Sequence, residues 1–109
     1  MTFDDALASR VRALLTGVSG VAEKKMFGCL AFLVQGNMSV GIHGFELIVR
    51  IEPSETDSAL RESGVRIFNI TGRPMTGWLL VSLEALKQQE VLAAWVNRGV
   101  TFARSLPSK

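Results

Sequence analysis

Few side chains in this 109-residue sequence have the chemistry of a reactive site. There is one cysteine, Cys29, and one histidine, His43. A thiol and an imidazole could form a nucleophile pair. Cys29, however, stands inside the apolar run "MFGCLAFLV", and His43 stands in the turn "HG". A cysteine among apolar neighbours ordinarily behaves as a small, inert hydrophobe. A zinc centre needs three or four converging His, Cys, Asp or Glu ligands, which one histidine and one cysteine do not supply. The carboxylates show no paired spacing. "GVSG" at 17–20 and "FGCL" at 27–30 match neither phosphate-cradling glycine pattern. No catalytic residue, cofactor or metal site is expected, and the chain reads as a non-enzyme.

What remains is chemistry of contact. Arg50 lies in the middle of "FELIVRI", on the face that also carries Ile48, so it should be half covered and should seek a carboxylate or a carbonyl. Arg73 lies in "ITGRPMTGW", between two apolar runs. Pro74 fixes its own φ and extends the backbone of Arg73, so this loop is stiff and aims Arg73 and Met75. An unbranched Met at a turn tip makes an adaptable contact surface. Stacking platforms for single-stranded nucleic acid need aromatics exposed on a sheet. There is no tyrosine, and Phe68 and Trp78, flanking the 71–76 loop, are the aromatics most suited to such exposure. Candidate interaction residues are therefore Arg50, Arg73, Met75 and Trp78, with Trp95 added below.

The composition is that of a globular chain, 48% hydrophobic and 20% charged, and long enough for one core without disulfides. A single domain over residues 1–109 is expected. The run Met26–Val34 is about half the length that a membrane helix needs. The amino terminus opens with acids and has no apolar h-region, so no secretory signal is expected. With a lone cysteine this places the chain in a reducing cytoplasm. Net charge is +2, but residues 1–62 carry −2 and residues 63–109 carry +4. That asymmetry permits contact with an acidic protein face or a nucleic acid.

These residues must be positioned by a small set of elements. Thr2 and Asp5 suggest a cap for a helix with Phe3, Leu7, Val11, Leu14 and Leu15 on one stripe, ended by Gly17 and Gly20. "MFGCLAFLV" reads as a buried central strand. "QGN" and "HG" then turn it into "MSVGI" and "FELIVRI", a three-stranded antiparallel meander. Pro53 stops the third strand, and Ser54 with Asp57 caps a short helix ended by Gly64. "VRIFNI" and "GWLLV" are two further strands. Ser82 then caps a long last helix running to about Ser105. The order is helix, three strands, helix, two strands, helix: an α+β domain with a mainly antiparallel five-stranded sheet.

On that last helix the apolar residues, centred near Leu92, Trp95 and Gly99, fill an arc of roughly 180°. Such an arc is wider than contact with one sheet needs. It predicts a homodimer and makes Trp95 a candidate contact.

Taken together, "MFG" at 26–28, "F-x-x-x-G-x-M" at 32–38, "L-x-V-R" at 47–50, "GRPM-x-G-W" at 72–78 and "WV" at 95–96 resemble the TfoX amino-terminal domain family over about residues 24–105. The resemblance implies an α+β fold arranged like that of type III secretion chaperones. It also implies kinship with regulators of natural competence, which act at promoters with a catabolite-activator-type transcription factor and usually carry a second, carboxy-terminal domain. Cys29 stands where the family often has a second glycine, and Ser82 stands near the place of a frequent proline. No catalytic residue carries over.

Three readings follow. The first is a protein-interaction module, a transcriptional co-regulator working through a protein partner. The second is a weak, direct nucleic-acid binder using Arg66, Arg73, Lys87, Arg98 and Arg104. The third is a small enzyme with a site near Arg50 and Arg73.

Overall fold

A computed structural model describes residues 4–26, 28–69, 72 and 74–107. The chain begins with α1 (Asp5–Leu14), whose N-cap is Asp4: its carboxylate accepts the Leu7 N–H at 3.1 Å. The expected cap at Thr2 and the stripe residue Phe3 lie outside the described residues. Leu7, Ala8 and Val11 form the buried stripe of α1, with Leu15 just past its end.

Six strands follow among the described residues, not five: β1 (Val21–Met26), β2 (Cys29–Val34), β3 (Asn37–His43), β4 (Glu46–Arg50), β5 (Val65–Phe68) and β6 (Met75–Val81). They form one open sheet in the order β1-β2-β3-β4-β6-β5, and all five pairings are antiparallel. The additional strand is "VAEKKM". Its residues from Ala22 to Lys25 are exposed, so it lacks the apolar alternation that marks a strand; hydrogen bonding to β2 makes it one. Charges on such an edge discourage pairing with another chain. The run "MFGCLAFLV" is correspondingly divided, with Gly28 turning at φ 75° between β1 and β2.

Between β4 and β5 lie a 3-10 turn (Pro53–Glu55) and the one-turn α2 (Thr56–Ala59). The last helix is shorter than expected at its start. Residues 82–88 form a separate segment with a 3-10 turn at Ala85–Lys87, and α3 runs from Gln89 to Ser105. The break comes at Gln88, which is extended (φ −81°, ψ 128°). It lets Leu86 bury fully, while Arg10 of α1 donates to the Leu86 carbonyl at 2.7 Å. Neither Gly nor Pro marks the break.

One sheet face packs under α1 and α3. Leu30, Phe32, Val40, Ile42, Leu47, Val49, Leu79 and Val81 meet Leu7, Val11, Leu92, Trp95, Val96 and Ala103. The wide apolar arc of α3 is thereby accounted for within one chain: Leu92, Trp95, Val96, Gly99, Val100 and Ala103 are all buried. At the carboxyl end of α3, the buried Asn37 side-chain amide donates to the Pro107 carbonyl at 2.9 Å. The opposite sheet face carries a second, smaller cluster of Cys29, Ile48 and Leu80, with Met38, Phe68 and Trp78 packed against it. No described helical residue belongs to this cluster.

Candidate interaction surface

Strand register decides which side chains share the helix-free face. Lys24 pairs with Ala31, Ala31 with Gly41, Gly41 with Ile48, Ile48 with Leu80, and Leu80 with Arg66, one continuous row across all six strands. Two residues along β4 from Ile48, and so on the same face, Arg50 pairs with Trp78.

Arg50 is half-buried, as its place beside Ile48 predicts, but its partners differ from those expected. Among the described residues it has neither a carboxylate nor a carbonyl. Its guanidinium carbon instead lies over the Trp78 ring, 5.0 Å from the centroid, and over the Phe102 ring of α3 at 5.4 Å. The ring quadrupole attracts a cation held in this way. Phe68 meets Trp78 at 6.2 Å between centroids and 53° between planes. Met38 completes the group: a Cβ added to Gly41 would come within 2.7 Å of the Met38 methyl, so Met38 lies over the glycine.

The other candidates scatter. Met75 is half-buried at the start of β6, opposite Phe68 across a bulge. Arg73 lies outside the described residues. Trp95 is only 4% exposed and belongs to the helix-side core, with the Arg98 guanidinium 4.1 Å from its ring centroid. Of the basic residues proposed for nucleic acid, three are already in ion pairs: Arg66 forks onto Glu46, Lys87 meets Glu84 at 3.1 Å, and Arg98 meets Glu62 at 2.8 Å. Arg104 is exposed.

The register that pairs Leu30 with Ile42 carries Cys29 and His43 to the same end of the helix-free face. The thiol is nonetheless not activated. Burial pushes the Cys29 thiol above its ordinary pKa, which keeps it protonated at neutral pH, whereas a nucleophilic cysteine needs the reverse. Among the described residues no three His, Cys, Asp or Glu side chains gather as metal ligands. A groove of about 420 Å³ runs between α3 and the segment after β4, floored by Ile51 and Phe102 and rimmed by Glu52, Glu55 and Arg98. No described helix is long and apolar enough to cross a membrane.

Sequence reasoning pointed to Arg50, Phe68 and Trp78 but missed Phe102, Met38 and Lys24. Phe102 belonged to the apolar arc of α3, whose flank the sequence does not distinguish from its centre. Strict alternation along β3 sets Met38 with Val40 and Ile42, but the register shift beside Ser39 turns it to the opposite face. Lys24 needed the unrecognised strand β1.

The fold and this surface define a small open-sheet α+β domain with helices packed on one face and, on the other, an arginine–aromatic cluster that reaches Phe102 of α3 from the end of β4. The model of the TfoX N-terminal domain matches residues 13–103, and the chain belongs to that family. No curated protein and no solved structure gave a match to the chain.

Proposed function

We propose that this chain is a non-enzymatic protein-interaction module that serves as a transcriptional co-regulator in the manner of the natural-competence regulators. The observation that carries the reading is Arg50, held over Trp78 and Phe102 with no carboxylate partner among the described residues. Arg and Trp dominate the energetics of protein interfaces when they are held rigidly. The partner expected from the family is a catabolite-activator-type transcription factor, met in the cytoplasm. A homodimer remains part of the proposal, although the α3 arc no longer supplies its surface.

Affinity capture from a native lysate, with the purified catabolite-activator-type factor as a direct test, examines the co-regulator role. Titration of labelled duplexes at low and physiological salt examines the nucleic-acid reading. Few free cations should give weak, sequence-blind DNA binding that salt abolishes. A nanomolar, sequence-dependent affinity at physiological salt would replace the co-regulator with a true DNA binder. Arg73→Ala and Met75→Ser belong in the same capture assay. Loss of capture without loss of melting temperature makes the 71–76 loop part of the contact.

A further inference from the structure

We propose that the sheet face opposite the helices docks an acidic segment of a partner protein, with Arg50 and Lys24 each receiving a carboxylate, Met38 receiving an apolar side chain between them, and Trp78, one strand beyond Arg50, flanking the segment. The proposal rests on the interaction-module reading and gives that module its surface and its ligand chemistry.

Charge is the first argument. Arg66 and Glu46 neutralise each other on this face. Arg50 and Lys24 have no ion-pair partner among the described residues, and Glu46 is the acid that strand register sets on this face, whereas Glu52 and Glu55 line the groove against α3. The uncompensated charge is therefore positive. The geometry of Arg50 is the second. Trp78 and Phe102 hold the guanidinium carbon 5.0 and 5.4 Å over their rings and offer it no carboxylate or carbonyl oxygen, so the forked hydrogen bonds that a carboxylate accepts are still to be made. The rings have already fixed the side chain, so less rotamer entropy is lost on binding. Adaptability is the third. Ala31, Gly41 and Ile48 are themselves buried, so what an incoming side chain meets in the middle of the row is the half-buried, flexible Met38, which lies over Gly41 and is able to repack beneath it. Lys24 and Arg50 are three strands and two residues apart, about 15 Å, which roughly four or five residues of extended chain span.

The same features disfavour two other occupants. The Trp78 ring already has Arg50 over it and Phe68 tilted against it, so the pair offers no open, parallel platform for bases. A second copy of the chain would set Arg50 and Lys24 against identical charges.

The test uses the full chain and a fluorescent hexapeptide with a glutamate at each end and alternating leucine and serine between. Glutamine-ended and lysine-ended versions are the controls. Anisotropy gives affinity, and amide and indole N–H shifts give location. The expected result is binding at least about tenfold tighter for the glutamate peptide than for the glutamine peptide. Shifts should centre on Met38, Ile48 and Trp78, and binding should weaken at about 0.5 M salt. Arg50→Gln should cost about tenfold and Lys24→Gln about threefold. Lys24 is exposed, so its substitution tests the face even if Arg50→Gln disturbs folding.

The proposal is overturned if the peptides bind alike or not at all, or if shifts map to the groove beside Glu52 and Glu55. It is also overturned if oligothymidine or self-association moves the same resonances more strongly. A chain that binds the glutamate peptide through Arg50 but captures no regulator keeps this surface and loses the co-regulator role. A captured partner indifferent to both substitutions does the opposite.

Discussion

Gly99 of α3 rests directly on the backbone of Ser39 in β3: a Cβ built on Gly99 would fall 2.5 Å from the Ser39 carbonyl oxygen and 2.7 Å from a Val40 methyl. The helix approaches the sheet this closely because residue 99 has no side chain. Gly99→Ala gains about 1 kcal/mol of helix propensity, but the new methyl meets backbone, the carbonyl of Ser39 at the irregularity of β3, and a branched Val40 methyl, neither of which is the free end of a flexible side chain. The clash should prevail, with a net loss of about 2 kcal/mol and a melting temperature lower by roughly 8–15 °C. Thermal unfolding by circular dichroism measures it. An unchanged or raised melting temperature would mean that α3 stands further from the sheet than described.

Thr56 fastens the chain after β4 to the start of β6. Its hydroxyl donates to the Pro53 carbonyl at 2.8 Å and accepts the buried Gly77 N–H at 2.8 Å. Thr56→Val keeps the shape and strands both partners, so it should cost about 1–3 kcal/mol. Thr56→Ser keeps both bonds and should cost much less. Urea denaturation of the two variants separates the hydrogen bonds from the methyl group.

Arg12 and Glu23 tie α1 to the edge strand β1 by two hydrogen bonds of 2.7 and 2.8 Å. The hydrogen bonds from Arg12 hold the Glu23 carboxyl below its ordinary value of 4.5, against a smaller opposing effect of burial. A depressed folded pKa contributes stability that is present above pH 4.5 and lost as pH falls through the folded value. Because both side chains are more than a third exposed, the effect should stay below about 1 kcal/mol. Glu23→Gln should remove this contribution, so wild type and variant converge in stability at acid pH. A constant difference from pH 7 to pH 3 would contradict the assignment.

The Cys29 thiol should label slowly. Its raised pKa and its burial both withhold the thiolate that iodoacetamide needs. Unfolding in urea should accelerate alkylation on the order of a hundredfold or more. The linkage has the corresponding sign: the unfolded chain releases the thiol proton near pH 9.0 and the folded chain later, so stability declines as pH rises through that range. Rapid labelling of the native chain at pH 7 would restore a reactive role for Cys29 beside His43.

The sequence by itself determined whatever depends on neighbours along the chain. The stripe Leu7–Val11–Leu15 specified α1, and alternation in β3 and β4 with glycine-bearing turns specified the β2–β3–β4 meander. The order and spacing of five short motifs, from "MFG" to "WV", pointed to the family. It also placed Arg50 beside Ile48 and singled out Trp78 as a candidate contact. Tertiary structure decided what local pattern does not encode. "VAEKKM" becomes a strand because β2 offers it hydrogen bonds, not because its own side chains alternate. The break at Gln88 arises because Leu86 buries and Arg10 takes its carbonyl from seventy-six positions away. The arc of α3 looked too wide for one sheet, yet α1 and the sheet together bury it. Arg50 faces two aromatic rings rather than a carboxylate because register sets Trp78 opposite it and helix docking brings Phe102 over. Periodicity reports which face a residue occupies. What meets that face is settled only when strands pair and helices dock.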